Sequence, residues 1–252
     1  MKQILLALIS LIIVTGIGYG ENKSMELFWQ ANQYYKDEDY TKAISLYQQI
    51  IDSGVKDGVV FYNLGNALLK NGQLGKAILS YERAKRVLPR DKDIKANLTY
   101  ANLLTIDKLS AKKGLLTTWI SKSHLFLNIN EQTVIIFIIY LLITALIILY
   151  IFIDRKNIRR LFVALGIILL VSFLILLISV SIKIRSVVQT NEAIVIVSKV
   201  EVKSGPEDEL ETIFFIHEGT KVKIEEVRGD WYQIELLDGK TGWISGKTVE
   251  QI

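Results

Sequence analysis

The chain of 252 residues contains no cysteine, two prolines and two histidines. Without cysteine it cannot form disulfides, use a thiol nucleophile or build a thiolate zinc site. The two histidines, His124 and His217, lie far apart, and no short motif pairs them. His217 falls in a predicted turn, and a turn or packing role is favoured over catalysis, which needs an oriented partner group. We therefore expect no enzyme activity, no cofactor and no metal site.

Charge is distributed unevenly along the chain. Residues 111–189 carry nine basic and two acidic residues, whereas residues 190–252 carry seven basic and 13 acidic residues. The basic excess thus surrounds the most apolar part of the chain, where it indicates membrane orientation. A nucleic-acid site would need Lys and Arg gathered on one face of a folded domain, so we expect no nucleic-acid partner.

Two uncharged stretches of 22 residues, 132–153 and 161–182, predict two transmembrane helices. At 1.5 Å per residue, each helix is about 33 Å long, which is enough to cross a hydrocarbon core of about 30 Å. The loop between them, 154–160, holds four basic residues and one acidic residue and is therefore predicted to be cytoplasmic. The parts of the chain before and after this hairpin are then both extracytoplasmic, and the lipid bilayer is a predicted partner.

The N-terminal segment 1–20 predicts a secretory signal peptide, because Lys2 precedes an apolar run and glycines follow it. Cleavage is expected after Gly20. The alternative is an uncleaved anchor, for which the 11-residue run from 4 to 14 is short. The segment 111–131 predicts a juxtamembrane helix that either lies along the outer membrane surface or simply connects two domains.

An internal repeat with a period of about 34 residues occupies the segment 21–110. Ala43 recurs as Ala77, and Tyr47 recurs as Tyr81. A period of this length is typical of helix pairs that stack into a solenoid. The segment divides into two repeats and a capping helix, which are 24–57, 58–91 and 92–109.

The second copy resembles the tetratricopeptide (TPR) family. The residues that carry this resemblance are Phe61, Leu64, Gly65, Ala77, Tyr81, Ala84 and Pro89. The resemblance implies an α-solenoid whose first helices line a concave groove. Two copies and a cap are few, since about three repeats are needed for a stable solenoid. Packing against a partner or a second copy would supply what is missing.

By the family's alignment, eight residues occupy groove-facing positions in the two copies. They are Phe28, Asn32, Tyr35, Lys36, Tyr62, Asn66, Leu69 and Lys70. Asparagine offers a donor and an acceptor, which suits the backbone of an extended peptide, and the lysines add positive charge for a carboxylate. We therefore predict a peptide-binding groove. The alternative is that these residues are polar only because the groove is solvated.

Residues 190–252 change to the period-two pattern of short strands, which predicts a small β-barrel domain with the bounds 187–252. The order of motifs resembles bacterial SH3-like (SH3b) domains. The stretches that carry the resemblance are 204–206, 217–220, 231–232 and 238–244. Within them, Gly219 and Gly242 are expected to need unusual φ and ψ angles, and Trp243 is expected in the core.

The predicted fold class is multidomain α plus β, with a TPR α-solenoid, a two-helix transmembrane hairpin and a small SH3-like β-barrel. This order of parts is similar to that of BatE-type proteins of bacterial aerotolerance operons, including the post-repeat segment 91–109. The resemblance implies a non-enzymatic scaffold in the bacterial inner membrane. It also implies von Willebrand A-domain membrane proteins and a MoxR-type AAA+ ATPase as partners. The alternative function is a cell-wall sensor whose SH3b domain binds peptidoglycan.

Overall fold

The computed structural model describes residues 23–108, 127, 129–153, 155–188 and 191–252. These residues form two compact units. The first unit joins the helices before residue 109 to the β-strands after residue 190, and the second contains two long apolar helices. The predicted signal peptide, 1–20, and most of the predicted juxtamembrane helix, 111–131, lie outside the described residues.

Among the described residues, five helices form the helical part of the first unit. They are α1 (23–36), α2 (Tyr40–Asp52), α3 (Gly58–Lys70), α4 (Leu74–Val87) and α5 (Lys92–Leu104). From α2 onward, each helix packs against the next one along the chain. The repeated residues Ala43, Ala77, Tyr47 and Tyr81 are all buried in one core. The helix predicted over 92–109 ends earlier, at Leu104, because the next residue is extended.

An aspartate immediately precedes and caps three of the helices whose starts are described. The carboxylates of Asp39, Asp57 and Asp91 accept hydrogen bonds from first-turn backbone N–H groups of α2, α3 and α5. Such caps satisfy N–H groups that have no partner inside the helix. Helix α4 instead follows Gln73, which makes no side-chain capping bond within the described residues.

Helix α5 ends the helical stack with a polar outer face. On α3, the side of the helix next to α4 is apolar and close-packed, and a Cβ at Gly65 would lie 2.7 Å from the ring of Tyr81. The residues that lie one repeat (34 positions) after those on this side of α3 are exposed polar residues of α5. The pairs are Phe61 and Lys95, Gly65 and Thr99, and Leu68 and Asn102. This face of α5 is therefore suited to solvent and not to a further helix.

The C-terminal part of the first unit is a seven-stranded antiparallel sheet, with strand order β3-β2-β6-β5-β4-β1-β7. The strands are β1 (Glu192–Val195), β2 (Lys199–Lys203), β3 (Thr212–His217), β4 (Lys221–Arg228), β5 (Trp231–Leu236), β6 (Thr241–Ser245) and β7 (Val249–Gln251). Alternate residues, such as Val200 and Val202 on β2, point into one apolar core. The predicted α plus β architecture is confirmed.

The two glycines singled out in the β domain are needed for different reasons. Gly219 has a φ of +83°, as predicted, and this conformation strongly favours glycine. The prediction for Gly242 was wrong, because its φ is not in the left-handed region. A Cβ at Gly242 would instead overlap the side chain of Val202 and lie 2.9 Å from Cδ1 of Ile213. Trp243 is buried, as expected, beneath the guanidinium of Arg228.

The second unit consists of α6 (Ile129–Phe152) and α7 (Lys156–Val188), which pack against each other. Both helices are long and apolar enough to cross a membrane, by length and composition. Helix α6 begins three residues before the predicted span 132–153 and ends one residue before its end, and α7 extends beyond the predicted span 161–182 at both ends. Gln132 Nε2 donates to Ser179 Oγ at 3.3 Å between the two helices.

Candidate functional site

The eight residues of the predicted groove lie on two helices of the same unit. Helix α1 carries Phe28, Asn32, Tyr35 and Lys36, and helix α3 carries Tyr62, Asn66, Leu69 and Lys70. The two lysines are exposed, and the other six side chains are partly buried. Burial raises the pKa of Tyr35, and the nearby Tyr40 and Tyr62 raise it further, so its hydroxyl stays protonated at neutral pH.

Asn32 belongs to a cluster that joins three helices. Its Oδ1 accepts hydrogen bonds from the hydroxyl of Tyr47 on α2, at 2.7 Å, and from Nδ2 of Asn63 on α3, at 3.1 Å. Burial raises the pKa of Tyr47 to about 12, so the hydroxyl remains a donor. This asparagine oxygen therefore holds α1, α2 and α3 together.

The same cluster recurs one repeat later. Oδ1 of Asn66 accepts from the hydroxyl of Tyr81 at 2.7 Å and from Nδ2 of Asn97 at 2.8 Å. Asn97 also donates to the hydroxyl of Tyr62 at 3.0 Å. Burial raises the pKa of Tyr81 well above its ordinary value, so its hydroxyl also stays protonated. In both copies the asparagine oxygen accepts hydrogen bonds within the protein. The predicted contact with a peptide would therefore be made by the side-chain amide nitrogens of Asn32 and Asn66.

The N-terminus of α4 is capped by the β domain. Oε2 of Glu218 accepts a hydrogen bond from the backbone N–H of Gly75, at 3.1 Å, in the first turn of α4. A carboxylate at this position satisfies a free N–H group and also interacts favourably with the helix dipole. Glu218 thus does for α4 what an aspartate does for α2, α3 and α5.

Two glycines allow the backbones of the helical part and the β domain to approach each other. A Cβ at Gly75 would lie 2.5 Å from the carbonyl oxygen of Val195 and 3.2 Å from the nitrogen of Gly219. A Cβ at Gly219 would lie 2.7 Å from side-chain carbons of Ile78 and Thr105. A larger residue at either glycine would therefore separate the two surfaces.

Asp107, just after α5, forms a second contact with the β domain. Its Oδ2 accepts from the backbone N–H of His217 at 2.7 Å and from the hydroxyl of Thr220 at 2.6 Å. Its Oδ1 lies 3.1 Å from Nδ1 of His217. The sequence offered no partner for His217, and the structure supplies one 110 residues away. The threonine hydroxyl is directed to the carboxylate, so the three groups form a clamp between domains.

Ion pairs extend the junction along α4. Arg83 donates to Glu250 Oε1 at 2.9 Å and to the carbonyl oxygen of Gln251 at 2.6 Å. Arg86 lies 3.4 Å from Glu192 Oε2, which also pairs with Lys221 at 2.9 Å. Burial alone would raise the pKa of Glu192, but Lys221 and Arg86 lower it below its ordinary value.

A cavity of about 460 Å³ lies at the same junction. Its walls include two acidic residues, Glu82 and Asp107, and two basic residues, Lys108 and Lys221. Ile78 and Ile194 supply apolar surface. Among the described residues, no group of three or more His, Asp or Glu side chains is placed to hold a metal ion.

Comparison with known families bears on the β domain. Residues 198–250 match the bacterial SH3 domain family, which covers β2 to β6 and most of β7. This match confirms the SH3-like part of the sequence prediction. The chain has no match among curated proteins.

Removing the Tyr81 hydroxyl tests the repeated cluster. Tyr81→Phe leaves Oδ1 of Asn66 with one donor, so we expect the free energy of unfolding of the full chain in micelles to fall by about 1 kcal/mol. Urea denaturation followed by circular dichroism measures the change. Tyr100→Phe, at an exposed position, should cost less than about 0.5 kcal/mol. Equal losses from the two variants would contradict the structural role of the cluster.

Asp107→Asn tests the clamp and predicts a pH dependence. Burial alone would raise the pKa of Asp107, but the hydrogen bonds from Thr220 and His217 lower it below its ordinary value. The ionised carboxylate therefore adds stability above the unfolded pKa of about 3.9, and this stability is lost as the pH falls through the lower folded pKa. We expect Asp107→Asn to lower the free energy of unfolding by about 2 kcal/mol at neutral pH.

The same denaturation measurement, repeated at decreasing pH, provides the check on this clamp. The difference between the wild type and Asp107→Asn should shrink below about pH 4. The control is Asp37→Asn at an exposed position just after α1, where the carboxylate accepts only from the nearby Gln33 among the described side-chain bonds. A difference for Asp107→Asn that is unchanged at low pH would rule out an ionised clamp.

Proposed function

We propose that the protein is a non-enzymatic, membrane-anchored adaptor that binds protein partners through its helical groove and its SH3-like domain. The observation that carries this proposal is the single compact unit formed by residues on both sides of the two apolar helices. One body thereby presents two binding domains, and the hairpin between them serves as the anchor.

Docking of the two domains also supports the proposed topology. Residues 23–108 contact residues 191–252, so both lie in one compartment. The chain between them must then cross a membrane an even number of times, which α6 and α7 satisfy. The basic loop 154–160 favours a cytoplasmic hairpin, and the compact unit is then extracytoplasmic.

We propose that α1 to α5 are two TPR repeats, 24–57 and 58–91, followed by a cap. Support comes from the Tyr–Asn clusters, whose members recur one repeat apart. Lys36 and Lys70 are exposed at the same spacing. Their ammonium groups suit an extended peptide that carries carboxylates.

The resemblance to BatE-type proteins supplies the proposed partners, which are von Willebrand A-domain membrane proteins acting with a MoxR-type AAA+ ATPase in an envelope stress complex. Peptidoglycan binding by the SH3-like domain is the second candidate. It is favoured by the exposed ring of Phe215 on strand β3, with the ammonium of Lys199 at 3.8 Å from the ring centroid. The acidic stretch 207–211 favours the protein partners, because it would repel an anionic wall polymer.

Charge reversal in the groove tests the adaptor function. The full chain is co-expressed with the von Willebrand A-domain membrane proteins of its source, and the ratio of the co-purified proteins is measured. We expect Lys36→Glu with Lys70→Glu to lower this ratio about tenfold, because two attractive contacts become repulsive.

The matched control is Lys92→Glu with Lys95→Glu, which makes the same charge change at exposed positions on α5. This control should leave the ratio unchanged. An equal ratio for both double variants would remove the groove from the function. Sedimentation of the full chain with purified wall sacculi, without capture of these proteins, would favour peptidoglycan binding.

A further inference from the structure

Four large apolar side chains are exposed at the end of α5. We call them the α5 patch, and their exposed fractions are 56% for Tyr100, 68% for Leu103, 48% for Leu104 and 67% for Ile106. Single exposed apolar residues are common on soluble proteins, whereas a cluster indicates a contact surface.

The α5 patch is not the bare side of an incomplete helical stack. A further helix, placed as α4 is placed on α3, would pack on Lys95, Thr99 and Asn102, which are polar and exposed. The apolar residues lie at other positions of the helix. The patch therefore needs a different occupant.

The chain leaves and re-enters the compact unit beside this patch. Lys108 follows Ile106 by two residues, and Lys108 and Ile194 line the same cavity. Helix α7 ends at Val188 and β1 begins at Glu192. Only three residues therefore separate the last residue of α7 from the first strand of the compact unit.

We propose that the α5 patch rests on the bilayer surface, with its aliphatic side chains at the boundary of the acyl chains and Tyr100 among the headgroups. Leu and Ile suit that boundary, and tyrosine is enriched at the interface with water. Lys108 follows the patch, where its ammonium donates to the carbonyl oxygen of Leu103 at 2.6 Å, and its positive charge suits anionic headgroups. This inference rests on the proposed membrane anchoring.

A peptide is the alternative occupant. Tyr100, Leu103 and Leu104 follow Asn66, Leu69 and Lys70 by one repeat and therefore extend the predicted groove. Ile106 lies beyond α5 and has no counterpart among the groove residues. Its exposure at the exit of the chain is explained by lipid and not by a groove ligand.

The absence of native cysteine allows a direct test. Leu103→Cys and Ile106→Cys are made separately in the full chain, labelled with a nitroxide and reconstituted in vesicles of phosphatidylethanolamine and phosphatidylglycerol. Electron paramagnetic resonance then compares collisions with lipid-soluble oxygen and with a water-soluble nickel complex. The matched controls are Thr99→Cys on the polar face of α5 and Ile168→Cys within α7.

We expect the ratio of oxygen to nickel collisions at positions 103 and 106 to be several-fold above that at 99 and below that at 168. If the ratios at 103 and 106 equal that at 99 while the ratio at 168 is high, as expected in lipid, the proposed contact of the α5 patch with the bilayer is wrong, but the membrane anchor is retained. Water-like ratios at all four positions would overturn both. If position 103 is shielded from the nickel complex only when a von Willebrand A-domain protein is added, the occupant is a peptide and the lipid contact is contradicted.

Discussion

The hydrogen bond between Glu218 and the first turn of α4 joins the helical part and the β domain of the first compact unit. It is possible only because Gly75 and Gly219 let two backbones come close, and it gives α4 the cap that Gln73 does not provide within the described structure. Two helical repeats are few for a stable stack. The β domain packs against α4, so residues that follow α6 and α7 give the helical part an additional neighbour.

This docking constrains how the chain is arranged around the hairpin. The helical part is synthesised first, and its neighbour follows only after α6 and α7. The compact unit is therefore completed last, after the proposed spans. The Asp107 clamp and the arginine contacts along α4 fix the two halves of the unit to each other. In the proposed adaptor, partners of the two domains would therefore be held near one another. Such proximity raises effective concentration without any new contact.

Patterns that repeat along the chain were predictable from the sequence. The repeat period located the helices, and the period-two pattern with its turns identified the SH3-like domain. Asn63 and Asn97 also lie one repeat apart, but neither is at a predicted groove position, and their bonds to Asn32 and Asn66 were not predicted. Glu218 and Asp107 were not predictable, because each pairs with a residue more than 100 positions away and no period relates the partners. The need for glycine at position 242 was likewise not predictable, because it arises from the side chain of Val202 on a neighbouring strand.

A covalent cross-link across the junction tests the docking most directly. The side-chain oxygens of Asp107 and Thr220 are 2.6 Å apart, so cysteines at these two positions lie within the span of a short bis-maleimide cross-linker. A protease site placed in the loop 154–160 then divides the cross-linked chain in two. We expect the fragments to stay joined on a denaturing gel for Asp107→Cys with Thr220→Cys, and to separate for Asp52→Cys with Thr220→Cys. Fragments that separate in both variants would show that the two domains are not docked.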